Sequence, residues 1–250
     1  MPDHRVFCPH PASDPAPGRI VLPAPESHHL VTVNRARPGD PVVAFDGAGH
    51  EWNTVLQTAD RRAATLTVVS PRDVPPRRAE LTLFQGLPKG GTMDTIVRQA
   101  TEIGAARIVP VITEHSQVQL DTNRAEKKQD RWHTTALEAA KQCGNPWLPA
   151  IDVPQPWSQV LPQLTGFDAL LIASLQPETV SLETWRREFT PPAHPPRIAW
   201  LIGPEGDFSA AETAAAITTG ARPVSLGPLV LRCDTAAAVA LGAVQALLHE

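Results

Sequence analysis

Cysteine is scarce in this chain, and its cysteines are not arranged as a structural set. The 250 residues contain three, Cys8, Cys143 and Cys233. None belongs to a CxxC pair, which argues against a zinc site and against a disulfide framework. We therefore expect free thiols in a reducing cytoplasm.

Long hydrophobic runs are also missing. A membrane span needs about 20 apolar residues, and no segment approaches that length. The first residues, MPDHRVFCPHPASDPAPG, are polar and broken by prolines, unlike a signal peptide. We expect a soluble cytoplasmic protein that has no membrane partner.

Several common catalytic motifs do not occur. The chain has neither GxGxxG nor GxxxxGK[ST], which argues against a Rossmann dinucleotide site and a Walker A phosphate loop. GxSxG and HExxH are missing as well, which argues against a serine hydrolase and a zinc peptidase. His28 and His29 resemble a metal pair, but no third ligand lies at a useful spacing. We predict no metal site.

An excess of positive charge is missing too. The formal net charge is −4, which is a poor overall match for an RNA partner. Basic residues are concentrated in one place only, at Arg61, Arg62, Arg72, Arg77 and Arg78. A local patch of this kind can still contact a phosphate backbone.

Short β-strands account for the first part of the chain. The pattern predicts strands over residues 19–22, 41–45, 51–58 and 63–69, with a hairpin-type turn at 46–49. Together these strands predict a small β-barrel. Three prolines and alternating charges at 70–78 indicate a linker, so we predict one domain over residues 1–74 and a second over 75–250.

Strands alternate with helices in the second part. Strands are predicted over residues 81–86, 107–112, 151–153 and 168–174, and helices over 93–103, 123–142 and 181–188. This alternation is typical of an α/β domain with a parallel sheet covered on both faces. The last helix is apolar all round, so it must be covered either by the core of its own chain or by a second copy.

Two glycine-containing loops near the carboxyl terminus follow predicted strands. Residues 198–202 form an apolar run that ends at Gly203, and Ser209 precedes Glu212 at capping-box spacing. A second strand at 223–226 leads through another glycine turn to a helix over 236–248, which Asp234 or Thr235 can cap. Loops beyond the carboxyl ends of parallel strands meet where ligands bind, although the glycines could also serve tight turns alone. Gly206 is a candidate for a positive φ.

These loops also carry a resemblance to a known family. IGPEGDFS at 202–209 and LGPLVLRCDTA at 226–236 resemble the signature of the SPOUT methyltransferases, and within them the small-subunit ribosomal RNA methyltransferase E family. The similarity extends through HHLVTVNRARPGD at 28–40, PKGGTMDTIVRQATEIGAARIVPV at 88–111 and EAAKQCGNPWLP at 138–149. It therefore covers nearly the whole chain in order.

The resemblance implies a fold and an activity. It implies a PUA-like or OB-like barrel that binds RNA, followed by a SPOUT α/β domain with a carboxyl-terminal trefoil knot. It also implies a homodimer that methylates N3 of a uridine in small-subunit ribosomal RNA, with S-adenosylmethionine as the cofactor. By matching position, the cofactor pocket would be formed by Leu175, Ile202, Gly203, Glu205, Gly206, Leu226, Gly227, Leu231 and Thr235.

Methyl transfer to uridine N3 requires its proton to leave, so that a base or a nearby cation is needed. Arg232 is our candidate for the cation because its planar donors match charge spread over the uracil oxygens. Glu205 or Asp234 is the candidate proton acceptor. The alternatives are a structural ion pair for Arg232 and a loop-stabilising acceptor for Glu205. Candidate RNA contacts are Arg35, Lys89 and Arg98, each of which could equally be a solvated surface charge.

The chain departs from the family pattern at four positions. The family usually has glycine where Asp207 stands, glutamate at Asp234, arginine at Asn145 and lysine at Gln99. Loss of two cations on the presumed RNA-facing side weakens the substrate assignment more than the cofactor assignment. Two alternatives therefore stay open, a non-catalytic RNA-binding or ribosome-assembly protein that keeps the fold, and a methyltransferase for another RNA or another base.

Overall fold

The computed structural model describes residues 4–9, 18–116, 122–176 and 178–248. The chain divides into two compact units. The first unit comprises the residues up to Pro76 together with Leu137–Leu148, and the second comprises Arg77–Ala136 and the residues from Pro149 onward.

The first unit contains a sheet of five strands in its described part. The strands are β1 (Arg5–Phe7), β2 (Arg19–Val21), β3 (Pro41–Phe45), β4 (Glu51–Thr58) and β5 (Thr65–Arg72). Their order is β1-β3-β4-β5-β2, with β1 and β3 parallel and the other pairs antiparallel. The predicted strands are present; closure of the sheet into a barrel stays a prediction.

A helix that the sequence pattern did not indicate lies between β2 and β3. The helix α1 (Ala24–His28) begins after Pro23 and continues as a π-helical turn, His29–Val33. Leu30 in this turn is fully buried. The buried Glu26 accepts hydrogen bonds from the Phe7 amide at 3.0 Å and from Lys141 Nζ at 2.5 Å. These contacts with distant residues stabilise a segment whose local pattern is weak.

The predicted linker begins later than residue 70. Strand β5 continues through Pro71 to Arg72, opposite Trp52 and Glu51 of β4. Strand β2 pairs only with residues 65–67 of β5, so this end of β5 has a neighbour on one side. Proline lacks an amide donor, and it is tolerated where one side of a strand is unpaired.

A parallel sheet forms the centre of the second unit. In the described residues it has eight strands, and all of its pairs are parallel. They are β6 (Glu80–Gly86), β7 (Arg107–Ile112), β8 (Ala150–Ile151), β9 (Gln155–Pro156), β10 (Ala169–Ala173), β11 (Val180–Ser181), β12 (Arg197–Ile202) and β13 (Arg222–Ser225). The order is β11-β13-β10-β12-β6-β7-β8, with β9 also paired to β7.

Helices connect these strands, and their ends follow local rules. They are α2 (Thr92–Ile103), α3 (Thr122–Cys143), α4 (Trp157–Val160), α5 (Leu182–Glu188), α6 (Ala210–Thr218) and α7 (Cys233–Leu247). As predicted, α2 ends at Gly104, which adopts the left-handed conformation. The predicted capping box is also present at the start of α6, between Ser209 and Glu212. From Leu137 onward, α3 belongs to the first unit.

The sheet is buried on both faces, as the alternation of strands and helices predicted. Along β12, Ile198, Trp200 and Ile202 belong to one hydrophobic core, which includes residues of α2, α3, α5 and α7. Ala199 and Leu201 point into a second core, which includes residues of α6 and of α4 with the turn after it. Successive strand residues point to opposite faces, so the near-continuous apolar run of β12 serves both cores.

The apolar helix α7 is covered on one side by its own chain. Ala237, Ala240, Leu241 and Val244 are buried, and the helix packs against α2 and β12. On another side, Val239 is 38% exposed. The core of the chain thus accounts for part of the apolar surface, and a second copy as cover for the rest stays a prediction. None of the helices in the described residues has the length and apolar character needed to cross a membrane.

Candidate active site

Three neighbouring strands bring the loops of interest together. Strands β13, β10 and β12 are adjacent and parallel, so their carboxyl ends lie at one edge of the sheet. The segments that follow them, beginning at Ser174, Gly203 and Leu226, contribute to one cavity. The prediction that the two glycine loops meet in one place is confirmed.

The cavity has a volume of about 480 Å³, within the usual range for small-molecule sites. Its walls are mainly apolar, with a few polar and charged groups. Leu175, Leu229 and Val230 are 62%, 72% and 80% exposed, which is apolar surface that a ligand can cover. The lining residues are Thr92, Ala173, Ser174, Leu175, Ile202, Gly203, Pro204, Glu205, Asp207, Leu226, Gly227, Leu229, Val230, Leu231, Arg232, Cys233, Asp234 and Ala236.

Most of the predicted cofactor residues line this cavity. Gly206 and Thr235 do not appear in its lining. The alternative that the glycines serve only tight turns also finds partial support, because Gly227 has a φ of 129°. The lining residues Thr92, Cys233 and Ala236 were not among the predicted ones. Thr92 follows β6 at the same edge of the sheet, and that position could have indicated it.

The turn at 203–208 has its unusual backbone conformation at Asp207. Asp207 has a φ of 58°, whereas Gly206 is not in the left-handed region, so the positive φ predicted for Gly206 was wrong. Aspartate tolerates this conformation better than most residues, and Asp207 Oδ1 accepts a hydrogen bond from the Phe208 amide at 2.8 Å. This backbone conformation is one that glycine adopts freely and that aspartate also tolerates, so aspartate fits at position 207.

Gly203 has no room for a side chain. A Cβ added at this position would lie 2.3 Å from Asp207 Oδ1 and 2.8 Å from Asp207 Cα. The Asp207 carboxylate therefore lies against the backbone of Gly203 in the cavity wall. Desolvation there raises the pKa of the Asp207 carboxyl above its ordinary value of 3.8.

Glu205 is held by the neighbouring loop. Its two carboxylate oxygens accept the backbone amide of Lys89, at 3.1 and 3.3 Å. This contact joins the loop after β12 to the loop after β6. The arrangement favours the loop-stabilising interpretation of Glu205 over that of a free proton acceptor.

Arg232 is exposed at the cavity and precedes the first turn of α7. It is the N-cap residue of that helix, and its carbonyl accepts the Ala236 amide at 2.8 Å. Among the described residues, its guanidinium makes no ion pair, so the structural ion pair with Glu205 or Asp234 is not found. The guanidinium is therefore available to a ligand.

Asp234 and Thr235 lie inside the first turn of α7. The prediction that one of them caps the helix was wrong, because α7 already begins at Cys233. Asp234 Oδ1 accepts the Thr235 amide at 2.9 Å. An acidic residue in the first turn is stabilised by the helix dipole, which accounts for Asp234 without a capping role.

Cys233 is a buried residue of the cavity wall. Desolvation raises the pKa of its thiol, and the nearby charges of Glu205 and Asp234 raise it further. The thiol therefore remains protonated near neutral pH. Cys233 is thus a small buried residue rather than a reactive nucleophile.

The candidate RNA contacts are exposed basic side chains. Arg35, with a φ of 57°, belongs to the first unit, and Lys89 and Arg98 belong to the second. Asn145 and Gln99 stand at the two positions where the resemblance implies cations. Asn145 Oδ1 accepts the Trp147 amide at 2.9 Å. Gln99 is half-buried, and its Oε1 atom has no hydrogen-bond partner among the described residues.

Possible metal ligands form no cluster in the described part of the chain. In residues 4–9, 18–116, 122–176 and 178–248, no group of three or more histidine, cysteine, aspartate or glutamate side chains is placed to hold a metal. His28 Nδ1 lies 3.4 Å from Thr32 Oγ1 on the next helical turn. The His28 and His29 pair is thus part of α1 and its π-helical extension.

Family models match both parts of the chain. A model described as an RNA methyltransferase domain matches residues 75–245. A second, described as an RNA methyltransferase PUA domain, matches residues 22–69.

Individual relatives match over nearly the full length. The ribosomal RNA small subunit methyltransferase E of a Synechocystis strain is 33% identical over 92% of this chain and 74% of its own length. A methyltransferase from Legionella pneumophila, solved with bound SAM, superposes with a TM-score of 0.85 at 29% identity, covering 97% of this chain and 96% of the other. A ribosomal RNA small subunit methyltransferase E from Neisseria gonorrhoeae, bound to S-adenosyl methionine, superposes with a TM-score of 0.84 at 26% identity. The match covers 98% of this chain and 97% of the other.

Proposed function

The chain belongs to the RNA methyltransferase family that includes ribosomal RNA small subunit methyltransferase E, and from this we propose that it methylates N3 of a uridine in small-subunit ribosomal RNA. We further propose that S-adenosylmethionine is the methyl donor. The main support for this proposal is the cavity that the loops after β10, β12 and β13 form together. It lies at the carboxyl ends of parallel strands, where α/β proteins bind ligands.

The cavity suits an adenosyl ligand chemically. Leu175, Leu226 and Leu231 provide apolar surface for an adenine ring, and backbone groups around Gly203 provide polar anchors. Gly203 carries no side chain, which lets Asp207 pack against its backbone in the cavity wall. Glu205, Asp207 and Asp234 add negative charge to the lining, which complements a donor with a positively charged sulfonium.

The reaction assigns separate roles to the residues around the cavity. When bound, the donor supplies an electrophilic methyl group. Uridine N3 loses its proton and forms the new bond to carbon as the bond from that carbon to sulfur breaks. Arg232 stabilises the negative charge that develops on the uracil ring. Glu205 and Asp234 both stay candidate proton acceptors. Each carboxylate already accepts one backbone amide, that of Lys89 for Glu205 and that of Thr235 for Asp234.

The first unit is the proposed RNA-binding part of the molecule. It contains the region matched by the PUA model and the exposed Arg35. Lys89 and Arg98 extend the proposed RNA contacts onto the second unit. We also infer from the family a closed barrel in the first unit and a carboxyl-terminal trefoil knot in the second.

Mass spectrometry of ribosomal RNA from a deletion strain tests the proposed function. We expect 3-methyluridine to be lost from one position of the small-subunit RNA and to return on complementation with the wild-type gene. Purified protein should also bind S-adenosylmethionine in calorimetry at micromolar concentration. Absence of binding by folded protein would remove the cofactor assignment.

The same experiment distinguishes two alternatives. The uncharged Asn145 and Gln99 favour a ribosome-assembly protein that has lost the reaction, and that protein would leave all uridine methylation unchanged on deletion. Loss of a methyl group from another RNA or another base would keep the reaction and change the substrate.

We propose that the exposed side of α7 forms a homodimer interface. Replacing Val239 with glutamate would place a charge in that interface, which is costly when buried unpaired. We expect Val239→Glu to be monomeric in analytical ultracentrifugation and to retain its fold. Ile217 of α6 is 45% exposed, and Ile217→Glu is the matched control. If the Val239→Glu variant sediments like the wild type, α7 is not the interface.

A further inference from the structure

His115 contacts the turn that forms one wall of the cavity. Its Nδ1 lies 2.7 Å from the Gly206 carbonyl oxygen and 3.1 Å from the Asp207 carbonyl oxygen. Both partners are acceptors, so Nδ1 carries the proton and donates to them. The imidazole therefore has a fixed tautomer, and it holds the two peptide groups at the unusual φ of Asp207.

The approach of His115 explains the glycine at position 206. A Cβ added at Gly206 would lie 2.9 Å from the Cβ of His115. Gly206 does not line the cavity, so its lack of a side chain serves the packing of the histidine. The family resemblance implies a cofactor contact for this glycine, which stays a prediction.

The segment that carries His115 is itself anchored. The Glu114 amide donates to Glu212 Oε1 at 2.9 Å, and the other oxygen of Glu212 accepts the Ser209 amide in the capping box of α6. The turn is closed by Thr113 and Ser116, since the Thr113 amide donates to Ser116 Oγ at 3.1 Å. His115 thus lies in a turn after strand β7 that these hydrogen bonds hold in place.

Of the two residues that His115 holds, Asp207 lines the cavity itself, and Gly206 lies between the lining residues Glu205 and Asp207. Gly203, Glu205 and Asp207 line the cavity, whereas His115 does not. The Asp207 amide donates to the Pro204 carbonyl at 2.9 Å and closes the turn from within. A non-glycine residue with a positive φ is strained and persists only when its surroundings hold it. His115 supplies that external support.

We propose that His115 is a positioning residue for the methyl donor, and that its Nδ1–H donor holds the 203–208 turn in the shape that binds the cofactor. The inference rests on the proposed function, because it assumes that the cavity binds S-adenosylmethionine. Hydrogen bonds to the carbonyls of Asp207 and Gly206 also raise the pKa of His115, in agreement with Nδ1 acting as the donor.

Two amide variants of His115 separate a precise contact from general packing. The amide nitrogen of asparagine occupies nearly the position of histidine Nδ1, whereas that of glutamine lies farther out and corresponds to Nε2. Calorimetry should therefore give His115→Asn a dissociation constant for S-adenosylmethionine close to that of the wild type. We expect about tenfold weaker binding for His115→Gln and His115→Leu, because the two hydrogen bonds are lost.

His133 provides the matched control. It is an exposed histidine of α3, and His133→Leu should bind the cofactor as the wild type does. Thermal unfolding of each variant verifies the fold, and the comparison of asparagine with glutamine remains decisive if His115→Leu does not fold. Equal affinity for the asparagine and glutamine variants would overturn the role of His115. Failure of the wild type to bind would instead overturn the proposed function on which that role rests.

Discussion

Replacement of Arg232 with alanine is expected to reduce methyl transfer about 100- to 1000-fold, the usual effect of removing one group that stabilises transition-state charge. The affinity for S-adenosylmethionine should stay within about threefold of wild type, because the loss of one exposed contact of less than about 1 kcal/mol has an effect of that size. The guanidinium is exposed at the cavity and makes no ion pair within the described residues. Its removal therefore leaves no buried carboxylate unpaired. The measurement is single-turnover methylation of small ribosomal subunits, with calorimetry on the same preparation.

Arg232→Lys and Arg187→Ala complete this experiment. Lysine keeps the charge but not the planar fork of donors, so it should restore only part of the rate. Arg187 pairs with Glu183 on the surface of α5, outside the cavity, and its replacement should leave the rate unchanged. Wild-type turnover by Arg232→Ala would exclude a role for Arg232 in the reaction.

Replacement of Gly203 with alanine is expected to reduce methyl transfer on the order of 100-fold, as a displacement of about 1 Å at a reacting centre can do. The added Cβ would lie 2.3 Å from Asp207 Oδ1 and 2.8 Å from Asp207 Cα, distances that real Cβ atoms do not show. The turn must move, and Glu205 and Asp207 move with it. In contrast to Arg232→Ala, this variant should lose affinity for S-adenosylmethionine in calorimetry.

Gly91→Ala is the matched control for Gly203→Ala. Gly91 lies in the loop before α2, has a negative φ of −97°, and an added Cβ would be 3.5 Å from the nearest atom, Asp94 Oδ2. Its replacement should leave cofactor affinity unchanged. If Gly203→Ala is folded by thermal unfolding and binds the cofactor normally, the turn at 203–208 does not form the cofactor site.

The two predicted effects differ because the residues act in different ways. Arg232 reaches the ligand space with a side chain that no other described group engages. Gly203 acts through the absence of a side chain, which allows the Asp207 carboxylate to pack against it. Loss of rate with intact cofactor binding therefore indicates a role for charge, as expected for Arg232. Loss of both rate and binding indicates a role for the shape of the site, as expected for Gly203.

Features governed by neighbouring residues could be predicted from the sequence. Strands β3, β4 and β7 have the predicted bounds, because apolar periodicity and turn residues mark both ends of each strand. The end of α2 at Gly104 and the capping box between Ser209 and Glu212 involve hydrogen bonds within a few residues. The meeting of two glycine loops also followed, because carboxyl ends of parallel strands share one edge of a sheet.

Features that depend on remote partners could not be predicted. The helix at Ala24–His28 and its π-helical extension were missed, and Glu26 there pairs with Lys141, 115 residues away. The positive φ predicted for Gly206 was wrong, because Asp207 takes it, and His115, 91 residues earlier, packs against Gly206. The contact of Glu205 with the Lys89 amide, 116 positions away, could not be predicted either, and its role as a base stays a prediction.

Sequence alone therefore determined the α/β alternation, most strand positions, the family resemblance and the segments that form the site. Only the tertiary structure decided which backbone position takes the positive φ, which carboxylate is already engaged, and that His115 supports the cavity wall. The physical reason is the distance along the sequence between the residues that interact. Periodicity, caps and turns are set by residues a few positions apart, whereas the shape of the site depends on hydrogen bonds and packing between segments that only the completed fold brings together.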